Sequence, residues 1–163
     1  MTAKAVLILG RFTPERKTIL DAMADELRKH NLLPIIFDFQ RSTDRDFTET
    51  IKVLAGLSLF VIVDITNPKS APQELTAIVP DYQVPFVPIL QEGQGKPYSM
   101  FVDFMKYDWV LKPVGTYSTK EVLLANFKNA VLDPAWKKHL ELRRKKGEAL
   151  EVLSVEKMLR SPQ

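Results

Sequence analysis

The stretch LFVIVDITNPKSAPQEL, residues 59–75, decides the fold that this sequence predicts. It begins with five large apolar residues, most of them β-branched or aromatic, which is typical of a strand buried on both faces of a sheet. A loop rich in Pro, Asn and Ser follows, and Ser70 lies three residues before Gln73, as in the capping box that starts a helix. The stretch therefore predicts a central strand, a loop and a short helix that begins at Glu74 and ends before Pro80.

The same alternation of strand and helix continues on both sides of this stretch. Further strands are predicted at 5–9, 34–37, 85–90 and 109–111, and the prolines of the segment 85–90 favour an edge or a strand end. Helices are predicted from Pro14 after an N-cap at Thr13, from a capping box at Asp46, over 100–104, from Ser118 to Val131, and from Asp133 to an interruption at Gly147. Strands that alternate with helices are parallel and are joined by right-handed crossovers. The sequence thus predicts a flavodoxin-like three-layer α/β sandwich, with a five-stranded parallel sheet of order 2-1-3-4-5, helices on both faces and an extra C-terminal helical segment.

One domain with a short extension accounts for the length and charge of the chain. The 163 residues, 45% of them hydrophobic, suit a single core, which we expect over 1–133, with 134–163 as a C-terminal helical extension. The extension carries 8 Lys and Arg against 4 Asp and Glu, so it accounts for the net charge of +3. These charges alternate with apolar residues in a helical pattern, which favours a solvated helix face over a nucleic-acid site. Leu150, Leu153 and Leu159 form an apolar stripe that we expect to pack on the domain or on a second copy of the chain, as in a homo-oligomer.

The composition excludes several classes of protein and of site. With no Cys and 2 His, the chain has no disulfide, thiolate nucleophile, zinc–cysteine site or histidine cluster, and no metal site is predicted. No apolar run reaches the roughly 18 residues of a membrane span, and no cleavage-site pattern follows Met1, so we expect a cytoplasmic protein without a membrane partner. No G-x-G-x-x-G follows the first strand, so no Rossmann-type cofactor is predicted. Any chemistry must use carboxylates, hydroxyls, amides, Arg or Lys.

A ligand site is predicted between strands 1 and 3, where the strand order reverses, because ligands of open α/β sheets bind there at the carboxyl ends of the strands. The loops that meet at this point are 10–13, 38–46 and 64–74. Asp64 directly follows the central strand and Glu74 lies about one turn into the next helix, so both carboxylates are expected to face one crevice. A carboxylate at Glu74 could stabilise an oxocarbenium-like transition state at a ribose. The alternative is an acidic residue that only complements the helix dipole.

The residues from Phe60 to Leu75 resemble those of a known superfamily. A strand that leads through a Ser/Pro/Asn loop to a Ser and then to Glu-Leu on a helix resembles the third strand and third helix of TIR domains. The same segment is similar to the Asp-Leu-Thr loop and Tyr-Glu-Leu helix of nucleoside 2-deoxyribosyltransferases. The order of elements from about Lys4 to Val131 matches this superfamily, and the whole chain resembles the TIR-like module at the end of some bacterial pentapeptide-repeat proteins.

The resemblance implies that the chain binds a nucleotide or an NAD-like small molecule. It implies that Glu74 cleaves the N-glycosidic bond of NAD or a nucleoside, as in an NAD glycohydrolase or a deoxyribosyltransferase. It also implies that Arg11 pairs with a phosphate and that Phe12 stacks on a base. The remaining predicted substrate-binding residues are Asp38, Asp64, Asn67 and Ser70.

Alternatives remain open for four of these residues and for the function as a whole. Arg11 and Phe12 could be an ordinary pair of loop residues without a ligand contact. Asp38 could bind ribose hydroxyls or pair with Arg41, and Asp64 could order its own loop by accepting from the amide of Thr66. Three positions depart from the superfamily pattern: residues 71 and 72 are Ala-Pro where TIR domains commonly have Trp-Cys, and Thr76 stands where transferases usually have Gly. The two function hypotheses are therefore an enzyme of N-glycosidic bonds and a non-catalytic TIR-like interaction or oligomerisation domain.

Overall fold

A computed structural model describes residues 4–38, 45–66, 73–94, 100–150 and 152–160, with only the backbone described at 45–47, 73, 74 and 100. The strands are β1 Ala5–Gly10, β2 Leu33–Asp38, β3 Ser58–Asp64, β4 Phe86–Gln91 and β5 Gly115–Tyr117. The helices are α1 Pro14–Lys29, α2 Arg45–Leu57, α3 Gln73–Ile78, α4 Met100–Phe104, α5 Lys120–Ala125, α6 Asp133–Ala149 and α7 Val155–Arg160, and a π-helical turn, Lys128–Leu132, precedes α6. Within these described ranges no helix has the length and apolar character needed to cross a membrane.

All five strands are parallel and lie in the order β2-β1-β3-β4-β5, which confirms the predicted sheet. Strand β3 lies in the middle of the sheet, between β1 and β4. Its side chains alternate between the two faces, so Ile62 packs on the face covered by α1, α5 and α6, while Val61 and Val63 pack under α2, α3 and α4. Both faces are therefore buried, as the unbroken apolar run predicts.

Helix α1 begins where the sequence predicts, directly over the end of β1. The side chain of Thr13 accepts a hydrogen bond from the backbone N of Arg16 at 3.3 Å, and Pro14 occupies the first turn. Gly10 ends β1 under this helix, because a Cβ there would lie 2.8 Å from Cδ2 of Leu20. This close approach brings the first turn of α1 against the carboxyl edge of the sheet.

The fifth strand is not at the predicted position. It is formed by Gly115–Tyr117, while Val110 makes only an isolated bridge to Phe86. The apolar segment 109–111 is instead held by tertiary packing, since Trp109 stacks on Tyr107 and donates to the carbonyl of Val79 at 2.7 Å. The segment therefore pairs with β4 through one bridge only, and of its three residues Val110 is buried while Trp109 and Leu111 are half-buried.

Strand β4 lies inside the sheet, between β3 and β5, as the predicted strand order requires, and of the two alternatives that its prolines favoured, an edge or a strand end, Pro85 fits the second. Pro85 precedes the strand and Pro88 lies within it. The backbone N of Phe86 donates toward the β5 side, to Trp109 O at 2.9 Å, and the N of Pro88 faces the same side by alternation. Pairing of β4 with β5 starts only at Ile89, and the bridge to Val110 is made by Phe86. Pro88 lies between these two pairings, so its missing N–H costs no hydrogen bond of the sheet.

Three helix boundaries also differ from the predictions. Asp46 lies inside α2 and so does not precede it as a cap. The N-cap of α5 is Thr119, whose hydroxyl accepts from Val122 N at 3.2 Å, so the capping residue is one position after Ser118. Gly147 lies within α6 and does not interrupt it. Local sequence signals place such boundaries only to within a few residues.

Candidate functional site

Four of the five strands end in a residue with a hydrogen-bonding side chain. These last residues are Asp38 of β2, Asp64 of β3, Gln91 of β4 and Tyr117 of β5. Because all the strands of the sheet are parallel, the four side chains belong to its carboxyl edge, where the predicted ligand site lies. The first turn of α1 faces the same edge.

Asp64 is 3% exposed and is surrounded by donors. Its Oδ2 accepts from Nη1 of Arg16 at 3.4 Å, and its Oδ1 accepts from the backbone N of Thr66 at 3.1 Å and from the hydroxyl of Thr66. The bond from the Thr66 amide is the loop-ordering contact considered for this carboxylate. Asp64 is therefore a buried anchor for the start of the loop after β3.

Arg16 connects this anchor to the other strand ends. The guanidinium, on a residue that is 8% exposed, donates to the Tyr117 hydroxyl at 3.2 Å and to Oε1 of Gln91. The backbone N of Gln91 in turn donates to the hydroxyl of Thr66 at 3.0 Å. We call these five residues, Arg16, Asp64, Thr66, Gln91 and Tyr117, the Arg16 network. It joins α1 to the ends of β3, β4 and β5.

Burial dominates the electrostatics of the Arg16 network. It raises the pKa of Asp64 above the ordinary value of 3.8, although the bonds from Thr66 and the charge of Arg16 act in the opposite direction. Burial also raises the pKa of the Tyr117 phenol, and the nearby charge of Asp64 adds to that effect. Burial therefore raises the free energy of the ionised form of Asp64 relative to its protonated form, and the charge of Arg16 offsets part of this increase.

Asp38 lies at the end of β2 and binds the loop that follows β1. Its Oδ1 accepts from the backbone N of Phe12 at 3.2 Å, which joins the loop after β1 to the end of β2. The Phe12 ring is half-buried, and Nζ of Lys17 lies 5.5 Å from its centroid. The structure therefore brings the predicted residues Phe12 and Asp38 together, with Arg11 half-buried in the same loop.

The other predicted site residues are described only in part. Glu74 is the second residue of α3, in the first turn of the helix, and its side chain lies outside the described atoms. Asn67, Ser70 and Arg41 lie outside the described residues. Among the described residues, no group of three His, Asp or Glu side chains could hold a metal ion. The catalytic role of Glu74 stays a prediction.

Sequence reasoning missed three members of the Arg16 network. Arg16 lies on the buried stripe of α1, four residues before Leu20 and seven before Met23. A charged residue at a position where the helical period expects an apolar one could have indicated that Arg16 is buried and paired. Gln91 directly follows the apolar run of β4, but no motif marks it. Tyr117 had no signal, because its strand was not predicted.

The comparisons with known proteins identify the fold. Solved structures similar to this chain include a diflavin flavoprotein A3 from Nostoc sp., with a TM-score of 0.62 and 12% identity over 86% of this chain and 99% of that chain. A CMP N-glycosidase from Clostridium botulinum matches with a TM-score of 0.59 and 11% identity over 77% of this chain and 99% of its own. A flavodoxin from the domain Archaea matches with a TM-score of 0.53 and 14% identity over 83% of this chain and 98% of its own. The sheet order and these neighbours define a protein with a flavodoxin-like fold.

The comparisons of sequence do not assign the chain to a family within this fold. No protein-family model matches the sequence, and no curated protein matches it. At 11–14% identity, the structural neighbours show a shared fold and leave the activity to be argued from the residues of this chain.

Proposed function

We propose that this protein binds a nucleotide or nucleoside at the carboxyl edge of its sheet and cleaves the N-glycosidic bond of that ligand. The observation that carries the proposal is the set of polar residues that ends four of the five parallel strands at this edge. In open parallel sheets this is the position at which ligands bind. The resemblance of residues 60–75 to TIR domains and deoxyribosyltransferases supports the nucleotide as the ligand class, with NAD as the first substrate.

Within this proposal the loops after β1, β2 and β3 provide the contacts to the ligand. The bond between Phe12 N and Asp38 orders the loop after β1, so that Phe12 can stack on a base and Arg11 can pair with a phosphate. Asp38 is also the residue placed to contact ribose hydroxyls. Asn67 and Ser70 are proposed as further substrate contacts from the loop before α3.

Glu74 is the proposed catalytic carboxylate. Asp64 is buried and bonded to Arg16 and Thr66, which makes it a supporting group rather than a reacting one. A carboxylate at Glu74 would stabilise the positive charge that develops at the anomeric carbon as the bond to the base breaks. The bonding electron pair goes to the leaving base, and the oxygen of water or of an acceptor hydroxyl forms the new bond to the sugar. The proton that this water or hydroxyl loses goes to the base of a nucleoside or nucleotide, or to solvent when NAD is the substrate, because nicotinamide leaves as a neutral ring.

The fold shared with a CMP N-glycosidase supports a test with pyrimidine nucleotides alongside NAD. The full chain would be incubated with NAD, CMP and a panel of nucleosides, and released base would be measured by mass spectrometry. We expect base release by the wild type and its loss in Glu74→Gln. Asp81→Asn is the matched control, because Asp81 is an exposed carboxylate in the turn after α3.

A second candidate function rests on the C-terminal segment. Leu150, Leu153 and Leu159 are 71%, 53% and 83% exposed, so the predicted stripe does not pack on its own domain. Exposed apolar residues in a row are typical of an interaction surface. If the wild type releases no base from any substrate, the enzyme proposal fails, and an interaction domain of 1–133 with an oligomerising extension at 134–163 replaces it.

A further inference from the structure

A cavity lies at the amino ends of the strands, on the opposite edge of the sheet from the proposed nucleotide site. Its volume is about 210 Å³. The apolar lining comes from Leu32 before β2, Phe60 in the first half of β3 and Leu132 at the end of the π-helical turn. We call it the amino-end cavity. Its existence does not depend on the function proposed for the other edge.

Trp136 of α6 forms the aromatic wall of the amino-end cavity. The residue is 42% exposed, although a Trp ring gains much from burial. His139 stacks on it, with ring centroids 5.3 Å apart and an interplanar angle of 28°. The indole is therefore held in one orientation and still presents uncovered apolar surface.

The charges around the amino-end cavity favour an anion. The polar lining consists of Lys4, His30, Lys128 and Asp133. Lys128 is already paired, since its Nζ lies 3.0 Å from Oδ2 of Asp133. Nζ of Lys4 lies 5.7 Å from the centroid of the Trp136 ring, and within the described part of the chain it forms no ion pair with a carboxylate. One positive charge thus remains beside the aromatic wall.

We propose that the amino-end cavity binds a small one-ring aromatic carboxylate. A cavity of about 150 Å³ is enough to hold benzene, so a volume of about 210 Å³ accommodates one ring and a carboxylate. The ring would cover the apolar lining and the exposed face of Trp136. The carboxylate would lie at Lys4, whose ammonium group forms no ion pair with a carboxylate of the described residues.

The test uses benzoate as the probe and the ¹⁵N-labelled full chain as the receptor. The chain has 2 Trp, so two indole N–H signals report separately on Trp136 and Trp109. We expect benzoate to shift the Trp136 signal in a saturable manner and to leave the Trp109 signal in place. Benzamide has the same ring without the charge, and we expect it to bind more weakly than benzoate.

Two substitutions test the assigned contacts. Lys4→Gln should raise the Kd for benzoate about twofold to fivefold, as for the loss of one solvent-exposed ion pair. Lys137→Gln removes the same charge from an exposed neighbour of Trp136 that does not line the cavity, and it should leave the Kd unchanged. The proposal is overturned if benzoate does not shift the Trp136 signal, if benzamide binds equally well, or if both lysine variants have the same effect.

Discussion

Arg16, in the first turn of α1, donates to the carboxylate of Asp64, the last residue of the central strand, at 3.4 Å. The two residues are 48 positions apart, and their side chains are 9% and 1% exposed. A charged pair removed from water in this way is kept only if each partner finds enough hydrogen bonds. Tyr117, Gln91 and Thr66 provide these bonds, so the pair and its neighbours form one structural unit below the candidate site.

Loss of Arg16 should destabilise the protein strongly. Arg16→Met leaves the Asp64 carboxylate buried without its cation, and we expect the free energy of unfolding to fall by about 3–5 kcal/mol. The double variant Arg16→Met/Asp64→Asn should be more stable than Arg16→Met, because the uncompensated charge is gone. Urea denaturation followed by circular dichroism measures both changes.

Lys17→Met is the control for this prediction. Lys17 is in the same helical turn and pairs with Asp21 on the surface, so its loss should cost at most about 1 kcal/mol. Equal stability of Arg16→Met and Lys17→Met would contradict a structural role for the Arg16 network.

The raised pKa of Asp64 predicts the sign of a pH effect. The folded protein keeps a proton on Asp64 at pH values where the unfolded chain has lost it, so stability falls as the pH rises from about 4 through the raised pKa. Asp64→Asn removes this dependence. The free energy of unfolding of the variant minus that of the wild type should therefore increase over this interval and become constant above it.

Denaturation of both proteins at a series of pH values checks this sign. A difference that instead decreases with rising pH would show that Arg16 and Thr66 outweigh burial and hold the pKa of Asp64 below its ordinary value.

Shortening a buried side chain of the central strand should lower the free energy of unfolding by a large part of its total. Ile62 has no exposed surface, and Ile62→Ala should lower the free energy of unfolding by about 2–5 kcal/mol, because a buried cavity remains. Val53→Ala, at a residue of α2 that is 60% exposed, should change it by less than about 0.5 kcal/mol. Similar melting temperatures for the two variants would argue against a packed core around β3.

The proposed role of Glu74 predicts a kinetic effect on turnover rather than on binding. Glu74→Gln keeps the size of the side chain and removes its charge, so kcat for base release should fall by about 100-fold to 1000-fold with little change in KM. Asp64→Asn should have a smaller effect when compared at equal folded fraction, since Asp64 supports the loop. Full activity of Glu74→Gln would exclude it as the catalytic carboxylate.

The exposed C-terminal leucines predict a change in assembly or solubility. Deletion of 150–163 removes α7 and all three leucines while α6 remains whole. We expect the truncated protein to have a smaller mass by light scattering if the stripe joins two copies, or otherwise a higher solubility. A truncated chain with the same assembly state, solubility and melting temperature would show that the segment has no role in association.

Local sequence was sufficient to predict the first four strands of the sheet and the start of α1. Strands β1 and β3 are buried on both faces, so each appears as an unbroken apolar run, and Thr13-Pro14 acts within one helical turn. The alternation of strands and helices then restricted the topology, because parallel neighbours need right-handed crossovers. The same reasoning placed Asp38 and Asp64 at the carboxyl edge.

The Arg16 network and β5 could not be predicted in this way, because both depend on contacts between distant parts of the chain. Arg16 meets Asp64, Gln91 and Tyr117 at separations of 48, 75 and 101 positions, and none of these pairs has a local signature. Strand β5 has three residues, of which two are exposed, so its pattern is too short to distinguish it from a loop. Strand β5 lies at the edge because it pairs with the backbone groups of β4 that face away from β3. These groups form a pairing surface only after β4 has joined the sheet.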